Sequence, residues 1–256
     1  MPQASALLNV MIAAARKAGR ALARDFGEVE NLQVSKKGPA DFVTAADLRS
    51  EKTLFEELSK ARPGYGFLME ERGAVEGSDK THRWIVDPLD GTLNFMHGLP
   101  HFAISIGLER EGVLVAGVIY DVIKNELFWA EKGQGAYLND RRLRVGGRSD
   151  LAAAMLTTGR FADMAALERV LAVTPLVRRY GAAALDLAYV AAGRFDGFWE
   201  RNLSPWDIAA GAVIVREAGG LAREIDGGDF METGHILAAN EKLIAPLNAL
   251  LRSAGG

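Results

Sequence analysis

Two carboxylates, Asp87 and Asp90, bracket a proline at the end of an apolar run in Trp84-Ile85-Val86-Asp87-Pro88-Leu89-Asp90-Gly91-Thr92-Leu93-Asn94-Phe95. The residue before a proline is pushed out of helical backbone, so Asp87 is expected to stay extended. Asp90-Gly91 reads as a tight turn. Together they put two acids at the mouth of a buried strand, with Thr92 and the next backbone N–H groups free to open a helix. Two acids around one turn repel unless a cation lies between them. Carboxylate oxygens suit a hard divalent cation, and a helix start suits a phosphate. The chemistry expected here is metal-assisted phosphate chemistry.

Other acids stand in comparable places. Glu70 follows the apolar stretch Tyr65 to Met69, and Asp207 follows Ser204-Pro205-Trp206. Ser as N-cap and Pro at the first helical position make that a helix start. Each acid also has a purely structural reading. Asp207 could offset the helix dipole or cap its own helix, as could Asp47, three residues after Thr44. Glu70 and Glu71 could be solvated loop charges. His97 and His101 have a metal-motif spacing, but Gly98 and Pro100 between them forbid a regular helix. Gly133-Gln134-Gly135 lacks the third glycine of a dinucleotide fingerprint, and neither a Walker-type loop nor a Gly-x-Ser-x-Gly elbow is present.

Composition narrows the classes further. The chain of 256 residues allows one large domain or two fused lobes, and its 49% hydrophobic content is ample for a core. A net charge of −3 provides no basic field for direct nucleic-acid binding. Cysteine is absent, which excludes disulfides, thiolate nucleophiles and cysteine-ligated metals and fits a reducing, cytoplasmic setting. No apolar run approaches the ~20 residues of a membrane span.

The elements that must position these acids can be placed coarsely. Ser5 to Phe26 reads as an amphipathic helix with Leu7, Leu8, Met11, Ala15, Ala18 and Leu22 on one face; its arginines also allow a transit-peptide reading. A polar loop, Ser35 to Asp41, leads to a second helix capped by Thr44 and ended by Pro63-Gly64. A strand at Tyr65–Met69 and a polar loop over Gly73–Thr81 precede the acidic turn. Strands are expected at Phe102–Leu108, Val113–Tyr120, Glu126–Ala130 and Ala136–Leu138, with a turn at Asn139-Asp140. Helices and short strands then alternate: a helix over Ala183–Gly193, a strand over Phe195–Trp199, and the Ser204 helix closing at Gly219-Gly220. Trp199 and Trp206 are expected in the core. The change of pattern near Gly146 to Asp150 suggests one domain of two fused lobes, 1–148 and 149–256.

The chain resembles the inositol monophosphatase family, within the lithium-sensitive, magnesium-dependent phosphatases. The resemblance rests on Trp84 to Phe95 and on Trp206-Asp207-Ile208-Ala209-Ala210-Gly211 with Glu217-Ala218-Gly219-Gly220. Asp41-Phe42-Val43-Thr44-Ala45-Ala46-Asp47 and the Glu70-Glu71 pair support it. It implies a layered αβαβα sandwich of helices and mostly antiparallel sheets, and a homodimer. It implies two or three Mg²⁺ ions: Glu70, Asp87 and the Leu89 carbonyl for the first, Asp87, Asp90 and Asp207 for the second, and Asp47 assisting a weak third. Glu70, helped by Thr92, then orients and deprotonates the attacking water, with Asp90 and Asp47 in the same catalytic set. Gly91 and Thr92 donate N–H groups to phosphate. Asp90, Asp207, Ala183 and Glu200 complete the substrate contacts, Glu200 to a hydroxyl, and Lys36 lies near the site.

The implied reaction is hydrolysis of a small phosphomonoester, with inositol 1-phosphate leading. Fructose 1,6-bisphosphate, histidinol phosphate and a 3′-phosphoadenosine nucleotide are alternatives. Some relatives act as accessory partners of the transcription machinery, a role of a different class. Three departures bear on the substrate side. Met69 stands where the family often has glycine, Gly181-Ala182-Ala183-Ala184 lacks a common serine, and Gly159 to Arg179 is short.

Overall fold

The computed structural model describes residues 4–28, 34–38, 41–159 and 163–252, with the backbone alone for 34–38 and 41–43. The side chain of Lys36 therefore lies outside the described residues. Helix α1 (Ala6–Phe26) starts where Ser5 accepts a hydrogen bond from the Leu8 N–H. Its buried stripe is Leu8, Met11, Ala14, Ala15, Ala18, Gly19 and Leu22. Leu7 is only half-buried, at the edge of that stripe. The expected polar loop after α1 instead carries a short antiparallel pair, β1 (Val34–Gly38) and β2 (Asp41–Thr44). The β-branched Val34, Val43 and Thr44 favour that extended backbone. Helix α2 (Ala45–Ala61) opens on the Thr44/Asp47 capping box and packs against α1.

An eight-stranded sheet follows, built from β3 (Tyr65–Met69), β4 (Gly73–Val75), β5 (Asp79–Asp90), β6 (Ala103–Arg110), β7 (Val113–Asp121), β8 (Glu126–Glu131), β9 (Gly135–Leu138) and β10 (Arg141–Arg142). Its order is β10-β9-β8-β7-β6-β5-β3-β4. Only β3 and β5 pair in parallel; the other neighbours are antiparallel. The stretch expected as loop, Gly73–Thr81, contains β4 and the start of β5. Those residues are polar because they lie at the exposed end of the sheet, where no core imposes alternation. A short helix, α3 (Thr92–Met96), leaves the end of β5.

The second half holds β11 (Leu156–Thr158), α4 (Met164–Val173), β12 (Val177–Arg178), α5 (Ala183–Ala191), β13 (Gly197–Glu200), α6 (Pro205–Glu217), β14 (Leu221–Glu224), α7 (Phe230–Thr233), β15 (Ile236–Ala239) and α8 (Glu241–Leu251). Its five-stranded sheet has the order β12-β11-β13-β15-β14. The strand expected over Phe195–Trp199 is shifted to Gly197–Glu200, so Glu200 is its last residue.

The layers run α1/α2, eight-stranded sheet, α5/α6, five-stranded sheet, α4/α8. This is the expected αβαβα sandwich. Alternation on β6 shows how the layers are kept apart. Ile104, Ile106 and Leu108 face α1 and α2, while Ser105 and Gly107 face α6. An added Cβ at Gly107 would lie 2.9 Å from the Ala209 Cβ, and one at Gly117 on β7 would lie 2.4 Å from the Ala210 carbonyl oxygen. Helix α6 therefore lies directly on the sheet through small residues, which fixes where its N-terminus points. Trp199 is buried as expected. Trp206 is only half-buried, because it sits in the first turn of α6, at the rim rather than in the layer. Among the described residues no helix is long and apolar enough to cross a membrane.

Candidate active site

The acids named from sequence converge at the ends of four elements. β3 and β5 run parallel with Met69 opposite Val86, so Glu70 and Asp87, the next residue on each, emerge side by side. The Glu70 N–H donates to the Val86 carbonyl at 3.3 Å. Met69 itself is fully buried among the α1/α2-side core residues. β5 does not end at Asp87. It bulges between Asp87 and Asp90, and Asp90 still pairs with Ala103 of β6. The tight turn expected at Asp90-Gly91 is thus a bulged strand end followed by Gly91 in the left-handed region, φ +91°, capping α3. Gly91 also approaches α5 closely: an added Cβ would lie 3.3 Å from the Ala182 Cβ.

Asp207 arrives from the far half of the chain. Its carboxylate accepts the Ser204 N–H at 2.7 Å, as an N-terminal capping acid does. The Ser105 hydroxyl donates to the Trp206 carbonyl at 3.2 Å, tying the start of α6 to β6 beside β5. As a result Asp87, Asp90 and Asp207 each present an oxygen within 4.8 Å of the others. The structural reading of Asp207 is correct, but it is not the whole role, because the cap places its other face among acids.

The electrostatics fit a site built for a cation. Asp87 and Asp90 are 2% and 8% exposed. Burial first, then the charges of Glu70, Asp90 and Asp207, push Asp87 well above the usual carboxylate range. Burial and then Asp207 do the same to Asp90, against a 2.8 Å hydrogen bond from the Ala184 N–H. Clustered buried carboxylates that raise one another are costly without a counter-ion. The donors are all oxygen, which matches a hard divalent metal rather than a thiophilic one.

Supporting contacts hold the geometry. The Leu89 N–H donates to Asp87 Oδ1 at 2.9 Å. Ser50 of α2 donates to the Pro88 carbonyl at 2.8 Å. Glu51 accepts the N–H groups of Glu71 and Arg72 at 2.8 and 3.1 Å, bracing the turn that carries Glu70. The Thr92 hydroxyl lies 3.1 Å from both Asp47 Oδ1 and the Leu89 carbonyl. Asp47 is fully buried and spends its second oxygen on Thr44, so it stands behind Thr92.

A single cleft is lined by Glu70, Asp87, Leu89, Asp90, Gly91, Thr92, Ala183, Glu200 and Asp207. Except for Asp47, every site residue named from sequence faces it. Gly159, Arg179 and Leu203 line it too and were not singled out, because only the folding of the second sheet against α5 brings them there. His97 and His101 take no part in any metal-capable group among the described residues. A second such group, Glu224, Asp226 and His235, lies elsewhere. The Arg201 guanidinium already sits within it, 2.7 Å from Asp226 and 3.2 Å from His235.

Comparison with known proteins agrees with this geometry. The chain is 60% identical over 246 residues to an inositol-1-monophosphatase of Mesorhizobium japonicum, covering 93% of this chain and 92% of that protein. It is 45% identical to a protein named Nus factor SuhB of Pasteurella multocida, over 93% and 92% of the two chains. The crystal structure of extragenic suppressor protein suhB from Bartonella henselae superposes with a TM-score of 0.95 at 54% identity, covering 98% and 100%. The family model for the inositol monophosphatase family matches residues 3–255. The chain therefore belongs to the inositol monophosphatase family, and it is a phosphoric monoester hydrolase.

Proposed function

We propose that the protein is a Mg²⁺-dependent phosphatase of small polyol phosphates, with inositol 1-phosphate as the leading substrate. One observation carries this reading: Asp87 and Asp90 from one strand end and Asp207 from the far half of the chain meet within 4.8 Å in a cleft that also holds Glu200 and the start of α3. Glu70, Asp87, Asp90, Asp207 and the Leu89 carbonyl would hold two ions, while Asp47, behind Thr92 and off the cleft, would assist a third only through the Thr92 hydroxyl. When bound, the metal lowers the pKa of a water and neutralises phosphoryl and leaving-group oxygens. Glu70 orients and deprotonates that water with help from Thr92, whose hydroxyl is held by Asp47 and Leu89. Gly91 and Thr92 donate backbone N–H groups to the phosphate. Glu200, a carboxylate 4% exposed at the cleft wall, accepts hydrogen bonds from substrate hydroxyls and so favours a polyol. Ala183 lines the ring-binding side. Water attacks directly, with no covalent phospho-enzyme.

On the same reading the chain is a cytoplasmic homodimer of single two-lobed domains, 1–148 and 149–256. A phosphate-release screen with Mg²⁺, with and without lithium, tests it. Inositol 1-phosphate is expected to give the highest kcat/KM, with inhibition by lithium. If histidinol phosphate, fructose 1,6-bisphosphate or a 3′-phosphoadenosine nucleotide far outpaces it, the substrate assignment fails.

Relatives named Nus factor SuhB at 44–45% identity support a second reading, an accessory partner of the transcription machinery. An Asp90→Asn protein that keeps a cellular role while losing phosphatase activity would establish that reading beside the first.

A further inference from the structure

Asp186 is fully buried in the first turn of α5 and has no part in the chemistry above. Its Oδ1 accepts a hydrogen bond from the Thr157 hydroxyl at 3.0 Å. Its Oδ2 is sealed from solvent and has no hydrogen-bond partner among the described residues. An oxygen left this way is costly, and native proteins keep few of them.

The carboxylate whose charge acts on Asp186 is that of Glu200. β11 and β13 lie side by side in parallel, Thr157 opposite Phe198 and Thr158 opposite Trp199. Alternation puts Thr157 and Gly159 on the same sheet face as Phe198 and Glu200. That face is covered by α5: Phe198 packs in the core shared with α5, and Thr157 reaches Asp186. At Gly159 the Glu200 carboxylate fills the space of the missing side chain; an added Cβ would lie 1.9 Å from its Oε2. Glu200 thus reaches across to β11, on the face where Asp186 is held.

We propose that Asp186 is a positioning residue for substrate selection, donating a hydrogen bond from Oδ2 to the Glu200 carboxylate and fixing the orientation in which Glu200 meets a polyol. The inference rests on the reading of Glu200 as the hydroxyl contact. Burial pushes Asp186 well above the usual carboxylate range, against the Thr157 bond and reinforced by the Glu200 charge, which favours the protonated form that a donor requires. Oδ1 is taken as an acceptor, which leaves the proton on Oδ2. A neutral donor fixes one Glu200 oxygen without cancelling its charge, so the remaining lone pairs stay strong acceptors for hydroxyls.

The test compares inositol 1-phosphate with p-nitrophenyl phosphate, whose leaving group has no hydroxyls for Glu200 to meet. Asp186→Ala should lower kcat/KM for inositol 1-phosphate about tenfold or more, with p-nitrophenyl phosphate changed less than about threefold. Asp186→Asn should restore the polyol value, because the amide donates where Oδ2–H did and still accepts from Thr157. On a Glu200→Ala background, Asp186→Ala should add no further loss for inositol 1-phosphate. If alanine unfolds the chain, Asp186→Leu, similar in volume and without a donor, replaces it. Equal losses on both substrates at an unchanged melting temperature would overturn the proposal, as would an asparagine variant as impaired as the alanine one. A wild-type protein indifferent to the polyol, or unaffected for it by Glu200→Ala alone, would instead sink the function reading itself.

Discussion

Among the described residues two clusters bring three metal-capable side chains together, and they are built in opposite ways. At Asp87, Asp90 and Asp207 the charges acting on Asp87 are all negative, and both Asp87 and Asp90 are pushed up. At Glu224, Asp226 and His235 the charges are already answered. Glu224 Oε2 accepts the N–H groups of Asp226, Gly227 and Gly228 at 2.5, 2.5 and 2.9 Å. Asp226 is lowered, chiefly by its hydrogen bond to Arg201. One cluster stores repulsion that a cation relieves; the other is a closed knot that stabilises a turn. Proximity of ligands does not distinguish them, whereas the direction of the pKa shifts does.

The comparison is most exposed to a pair of substitutions. Asp90→Asn should lower kcat/KM for phosphate release by ~10³-fold or more, the scale of a lost transition-state electrostatic contact. Glu224→Gln should leave kcat/KM within about twofold, yet lower stability by about 2 kcal/mol through weakened charged hydrogen bonds. Steady-state kinetics and urea melts on both variants check this, and loss of activity in a well-folded Glu224→Gln protein would break the contrast.

Metal binding gives the next largest effect. Mg²⁺ at 100 times its Kd should stabilise the protein by about 2.7 kcal/mol, and Asp207→Asn, but not Asp226→Asn, should remove most of that gain in a thermal melt. The pH dependence of the metal-free protein sharpens the point. Asp87 and Asp90 bind protons more tightly folded than unfolded, where their ordinary value is 3.8. In EDTA, their contribution to stability should therefore fall as pH rises above that value through the raised folded pKa. Glu224 and Asp226 are lowered from 4.5 and 3.8, so theirs is present above those values and lost only as pH falls through the folded pKa. Saturating Mg²⁺ should suppress the first dependence and leave the second. Activity at subsaturating Mg²⁺ should drop in acid, as protons displace metal from Asp87 and Asp90.

The smallest predicted effect probes how the first cluster is assembled. Gly117→Ala drives a methyl group against the Ala210 carbonyl and should shift α6, costing about 1–3 kcal/mol in stability and weakening Mg²⁺ binding measured by titration calorimetry. An unchanged Mg²⁺ affinity would mean that Asp207 does not depend on the seating of α6.

Local rules carried much of this molecule. The capping pairs Thr44/Asp47 and Ser204/Asp207 need only short-range hydrogen bonds, and both are where the residues implied. The strand at Tyr65–Met69 and the amphipathic α1 follow from apolar periodicity. The Asp87–Thr92 stretch showed its chemistry because proline, glycine and two acids constrain one another within a few bonds. Elsewhere the sequence was silent or misleading for physical reasons. β4 and the start of β5 are polar and at a sheet end, so no burial pattern marked them. Trp206 looked like core because size alone was visible, not its place at a helix start. The Glu224 knot depends on turn N–H groups that no side-chain pattern reveals.

What the sequence determined by itself was the set of acids and the local geometry of each, because capping and pre-proline backbone are decided by neighbours in the chain. What only the tertiary structure decided was their meeting: parallel pairing of β3 with β5 set Glu70 beside Asp87, and glycines on β6 and β7 let α6 deliver Asp207. The same packing set Glu200 over Gly159 and left Asp186 buried beneath the cleft. Those are contacts between residues far apart in the chain, and they form only when layers of matched side-chain size close on one another.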